Sequence, residues 1–126
     1  VMEFIHAPKA CASVGPYSHC VKAGSTYYLC GQVPFHPVTG EVVGNGMKEQ
    51  AVQTLANMKA VLEAAGLAVT DIAKTTVFVT NMDDFAAFNE VYAAFMGEHR
   101  PARVCVEVSN IAHGCLLEMD AICFKE

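Results

Sequence analysis

Apolar residues recur along this chain in two periods. From Met47, the positions Ala51, Leu55, Met58, Leu62 and Ala65 return at helical spacing, and Gly66 supplies a C-terminal stop. Phe85, Phe88, Tyr92 and Phe95 mark a second amphipathic helix, which Asn81 through Asp84 can cap and Pro101 ends, with His99 near its last turn. The remaining apolar runs are short and β-branched or aromatic. Residues 17–33 read as two strands around Gly24-Ser25, with Tyr27, Tyr28 and Leu29 in the second. Residues 71–80 read as a strand, 102–109 as another with alternating Val104, Val106 and Val108, and 116–124 as the last, after a turn at Ala112–Gly114. A short strand at 2–6 completes the set, and Pro34 to Gly40 is a loop. The order β-β-α-β-α-β-β predicts one α+β domain over residues 1–126, with two helices on one face of a mostly antiparallel sheet.

The other face of that sheet is then open, yet the strands are apolar in both phases: Ala73, Thr75, Val77 and Val79 alternate with Ile72, Thr76 and Phe78. A strand apolar on both sides is buried on both sides. Composition sharpens the point. Of 126 residues 53% are hydrophobic and only 17% charged, against about 25% charged in ordinary soluble domains, and mean hydropathy is +0.31. Few charges are left to cover a monomer's surface, so an oligomer is expected, with sheets packed between copies.

Charge excludes other classes. Thirteen acids against eight bases give a net charge of -5, with no Lys/Arg cluster, so nucleic acid is not expected as a partner. There is no run of about 18 apolar residues, so no membrane span is expected, and the opening residues lack the pattern of a secretory leader. Six cysteines form no C-x-x-C, and the five histidines stand at no zinc-finger spacing from them. They read chiefly as small buried hydrophobes or surface thiols of a reducing compartment, the cytoplasm first and the mitochondrion second, and no metal site is expected.

Candidate chemistry sits in the last strands. In P-A-R-V-C-V-E-V (101–108), alternation puts Arg103, Cys105 and Glu107 on one face. An Arg in an apolar strand must find an acceptor. Either it pairs with Glu107, Glu118 or Asp120, or its fork serves as a carboxylate site. Glu118 and Asp120 share a face of the final strand, and a partly buried carboxylate can be tuned for acid–base work. It could equally neutralise Arg103. Cys105 is either a thiolate lowered by Arg103 or, more often in such settings, an inert structural thiol.

Taken together, G-P-Y at 15–17, G-Q-V-P at 31–34, K-T-T-V-F-V at 74–79, P-A-R-V-C-V-E-V at 101–108 and L-E-M at 117–119 strongly resemble the YjgF/RidA family, in order and almost end to end. That resemblance implies a chorismate-mutase-like fold of the bacillus type, assembled as a homotrimer around a central barrel, with sites in clefts between subunits. It implies an imine/enamine deaminase that converts reactive 2-imino and enamine acids, such as 2-iminobutyrate and 2-aminoacrylate, to 2-keto acids and ammonia without metal or organic cofactor.

Residue by residue, the resemblance makes Arg103 the carboxylate binder and Glu118 the acid that orients water. Tyr17, Cys30, Gly31, Asn89 and Cys105 would line the cleft, Cys105 through its backbone amide; Asp120 does not match the catalytic acid. Cys30 stands where the family commonly has a small hydroxyl residue, and Ala112-His113-Gly114 lacks the usual proline. With Cys30 and Cys105 both in the cleft, oxidation could inactivate the site. The competing reading is a keto-acid-binding or regulatory protein that uses the same cleft without turnover.

Overall fold

The computed structural model describes residues 1–126. Its elements are β1 (Met2–Ile5), β2 (Cys20–Ala23), β3 (Thr26–Gln32), α1 (Met47–Ala64), β4 (Ile72–Val79), α2 (Phe85–Met96), β5 (Ala102–Glu107) and β6 (Leu117–Phe124). The strands form one sheet in the order β1-β2-β3-β6-β4-β5, and every pair is antiparallel except β4 and β5. A parallel pair needs a crossover, and α2 is that crossover. It thereby lies over the β5 edge, where Arg103 stands.

Local chemistry explains the boundaries. Gly24 turns β2 into β3 at φ 64, a left-handed value that costs glycine little. Helix α1 closes as a Schellman motif: the Leu67 N–H donates to Leu62 O at 2.8 Å and the Gly66 N–H to Glu63 O at 3.0 Å. Before α2, the Asn81 side chain accepts from the Asp83 N–H at 2.9 Å and caps a short 3₁₀ turn at Met82–Asp84. The helix stops at Met96 because Gly97 turns away at φ 64. His99 therefore lies past the helix rather than in its last turn, with Nε2 donating to Ile72 O at 2.7 Å.

The phase expected for β4 needs one correction. The register slips between Ile72 and Lys74, a bulge at Ala73. Ile72 consequently turns inward with Thr75, Val77 and Val79, while Ala73 is exposed. A bulge adds one residue and flips the alternation on one side of it, which unbroken period-two reading cannot foresee.

Both helices pack on one face, over a core of 22 buried residues that includes Leu55, Met58, Phe88, Val77, Leu117 and Met119. The stripe of α1 also buries three polar residues, Gln50, Thr54 and Asn57. The Asn57 amide donates to the carbonyls of Val33 and Phe35, both at 2.9 Å, and the Gln50 amide bridges Gly44 O and the Leu116 N–H at 3.1 and 2.8 Å. These bonds tie the loop after β3 and the start of β6 to the helix. The opposite face of the sheet carries Phe4, Tyr28, Phe78, Val104, Val106 and Phe124, and Phe4 and Phe124 keep 63% and 51% of their surface exposed in the single chain. No helix is long and apolar enough to cross a membrane.

Candidate active site

The expected site residues form two groups. In the first, Arg103 of β5 pairs in register with Thr75, whose side chain points to the helices. Its guanidinium comes under α2, donating from Nη1 to Asn89 Oδ1 at 2.8 Å. It lies 4.8 Å from the Tyr92 ring centroid and 5.2 Å from that of Phe85, within cation–π range. Phe85, Asn89 and Tyr92 fall at i, i+4 and i+7, one face of the helix. Tyr92 is held from below by a buried hydrogen bond of 2.7 Å between its hydroxyl and Thr75 Oγ1. Asn89 was legible beforehand; the two rings under Arg103 read as core because their spacing is that of a core stripe.

The ion pair considered for Arg103 does not form. The chain has two salt bridges, Lys22–Glu3 and Lys48–Glu90, and neither involves Arg103. Glu107 instead accepts from the Met82 N–H at 2.9 Å. Glu118 and Asp120 pair in register with Phe78 and Thr76, on the other face of the sheet. Arg103 thus keeps a positioned fork with donors to spare. Cys105, beside it, is half-buried, and burial pushes its thiol up despite the pull of Arg103. The structural-thiol reading is the one this favours.

The second group gathers on β3 and β6. Glu118 lies hard against Gly31: a Cβ at position 31 would sit 2.2 Å from its Oε2. Only a residue without a side chain admits the carboxylate there. Burial, and then the charge of Asp120, raise the Glu118 carboxyl above its ordinary value. Cys30 is adjacent and half-buried; burial raises its thiol, and its Sγ accepts from Gln32 Nε2 at 3.2 Å. Tyr17 sits in the turn ahead of β2, 47% exposed, its ring edge against Gly15. All six cysteines are free thiols.

Within one chain the two groups do not meet. By register Arg103 and Glu118 stand two strand spacings apart, about 10 Å, and three residues apart along the strands, about another 10 Å. Their side chains leave opposite faces. Cys30 and Cys105 are likewise separated by two intervening strands.

The model of the Endoribonuclease L-PSP family, which is the YjgF/RidA family, matches residues 6–125. The chain belongs to the YjgF/RidA family. A RutC family protein of Pyrococcus horikoshii is 48% identical over 124 residues, 98% of each chain. The 2-iminobutanoate/2-iminopropanoate deaminase of Escherichia coli K12 is 45% identical over 124 residues, 96% of each. Among solved structures, E. coli TdcF with bound serine superposes with a TM-score of 0.93 at 41% identity, covering 98% of this chain and 99% of that one. The E. coli YjgF gene product gives 0.92 at 43%, with the same coverage. The family therefore includes imine deaminases, and this α+β fold is theirs.

A cleft of ≈ 420 Å³ opens beside Arg103, lined also by Asn89, Tyr92, Met96, His99 and Arg100. Arg100 escaped the sequence reading. The signal available was that the chain has two arginines in all, at 100 and 103, flanking Pro101.

Proposed function

We propose that this protein hydrolyses 2-imino acids, in the manner of a 2-iminobutanoate/2-iminopropanoate deaminase, at a site completed between copies of the chain. The observation that carries the reading is the positioned, unpaired Arg103 fork on Asn89 and Tyr92. A guanidinium fork matches a carboxylate bidentately, and a 2-imino acid presents one. Serine, bound in TdcF, likewise has a carboxylate and a nitrogen on C2. One copy would supply Arg103, Asn89 and Cys105, and its neighbour Tyr17, Cys30, Gly31 and Glu118.

The chemistry asks little of the protein. The imine, protonated on nitrogen, is attacked at C2 by water as Glu118 takes one water proton. Glu118 returns that proton to nitrogen, and the C–N bond then breaks with its electron pair leaving on ammonia. The hydroxyl gives its proton to the freed Glu118 carboxylate and becomes the carbonyl, and Glu118 passes that proton to the departing ammonia. Atoms and charge balance as protonated imino acid plus water giving keto acid plus ammonium. Orientation by Arg103 and one proton shuttle are the protein's contribution, and a carboxyl raised toward neutrality suits that shuttle. No nucleophilic cysteine is required, in keeping with the raised Cys105 and Cys30 thiols.

The assembly proposed is a homotrimer of the chorismate-mutase type, in which the open, apolar sheet faces close a central barrel. Supporting it are the exposed Phe4, Tyr28 and Phe124 on that face and the placement of Arg103 and Glu118 on opposite sides of one sheet. The test generates 2-aminoacrylate with a serine dehydratase and follows keto-acid release. Wild type should accelerate release and Arg103→Ala should not; acceleration by the variant would exclude the carboxylate role. Saturable 2-ketobutyrate binding with no rate effect would instead favour a metabolite-binding protein.

A further inference from the structure

We propose that Arg100 forms a second anion subsite in the cleft beside Arg103, making the preferred ligand a small dicarboxylate. This rests on the deaminase reading only for turnover, where it specifies imino acids with a second carboxylate at the end of a short side chain. In a chain of net charge -5, both arginines line one cleft, and no acid of the same copy lines it. Neither arginine is in an ion pair, and Glu90, next to Asn89 in sequence, is held away by Lys48 at 2.7 Å.

The two guanidiniums are held by different means, each leaving an edge free. Arg103 spends Nη1 on Asn89. Arg100 spends Nη1 on the carbonyls of Gly97 and His99, just past the end of α2. That is also a helix-capping bond, but it leaves Nε and Nη2, the edge that grips a carboxylate bidentately. Three residues of chain set the Cα atoms at most about 10 Å apart, so forks that turn into one cleft can hold both ends of one small molecule. Asn89 and the Tyr92 hydroxyl are already bonded to Arg103 and Thr75, and His99 Nε2 to Ile72 O. Ala93, Met96 and Pro101 supply the apolar part of the lining, which suits a short methylene spacer.

The test compares ligands and substrates that differ by one carboxylate. By titration calorimetry, wild type should bind succinate roughly tenfold more tightly than propionate, the lower end of the range for charge-assisted hydrogen bonds because Arg100 is exposed. Arg100→Gln should abolish that preference and Arg100→Lys should restore part of it. In turnover, with imines made by amino-acid oxidases from aspartate and from alanine, the ratio of kcat/KM for the diacid to that for the monoacid should fall about tenfold in Arg100→Gln. Equal affinity for the two acids in wild type would overturn the subsite. So would an unchanged preference in Arg100→Gln, an equal loss of both ligands with a lowered melting temperature, or inorganic phosphate binding as tightly as succinate. Failure of wild type to hydrolyse either imine would remove the deaminase reading alone, because the succinate preference decides the subsite independently.

Discussion

Replacing Gly31 by alanine should disable Glu118 while leaving the fold intact. The added Cβ would stand 2.2 Å from Glu118 Oε2, 3.0 Å from Cδ and 3.2 Å from Cγ. Ordinary contact requires about 3.4 Å or more, so the carboxylate must retreat by roughly 1.2 Å. Gly31 is not among the glycines at positive φ, so alanine meets no backbone strain there. The atom in the way is the far end of a flexible, half-exposed side chain that can swing outward. The cost to stability should stay below about 1 kcal/mol. The cost to catalysis should be much larger, since a misplacement of about 1 Å loses on the order of a hundredfold. Steady-state imine hydrolysis should show kcat/KM falling by about that factor, with the urea midpoint nearly unchanged. A double-mutant cycle identifies the route: in a Glu118→Ala background, Gly31→Ala should cost almost nothing further. Full activity in Gly31→Ala, or an undiminished penalty without Glu118, would refute the contact as the reason for glycine.

Other expectations follow from the same structure. Because burial and Asp120 raise the Glu118 carboxyl, the acid limb of kcat/KM should lie above the ordinary carboxylate range. Asp120→Asn should move that limb to lower pH but not the whole way, since burial is the larger cause; a pH–rate profile with an unmoved limb would assign it elsewhere. A carboxyl raised by folding favours the folded state at low pH and loses that contribution as pH rises through its folded value, so Glu118→Gln should flatten the decline of stability with rising pH, as read from melts across that range. Asn57→Ala strands the carbonyl of Val33 and leaves that of Phe35 with only the Cys11 thiol as donor, and should cost about 1–3 kcal/mol in chemical denaturation. Tyr92→Phe leaves the buried Thr75 hydroxyl without its 2.7 Å partner and should cost about 1–2 kcal/mol on the same measurement.

The fold was largely legible because its signals are local. Helical spacing from Met47, the Gly24-Ser25 turn and the alternation of residues 102–108 each specify an element within a few residues. What escaped was set by pairing across the chain. The bulge at Ala73 depends on the register against β6, and the burial of Gln50 and Asn57 depends on carbonyls offered by a distant loop. The candidate site divides in the same way. Arg103, Asn89, Gly31 and Glu118 could be singled out by residue type and motif, but their division into two groups comes from which face each strand residue takes, and that requires the parallel pairing of β4 with β5. The salt bridge weighed for Arg103 failed for this reason: its nearest acids on β6 point through the opposite side of the sheet.

Subunit complementation tests the shared site most directly. Arg103→Ala and Glu118→Ala, each purified alone, should be inactive. Unfolded together in equal amounts and refolded, they should regain about a quarter of wild-type activity, because in a closed ring that fraction of seams joins an intact Arg103 to a neighbour's intact Glu118. Activity that stays at the level of the separate variants would contradict a site built between copies.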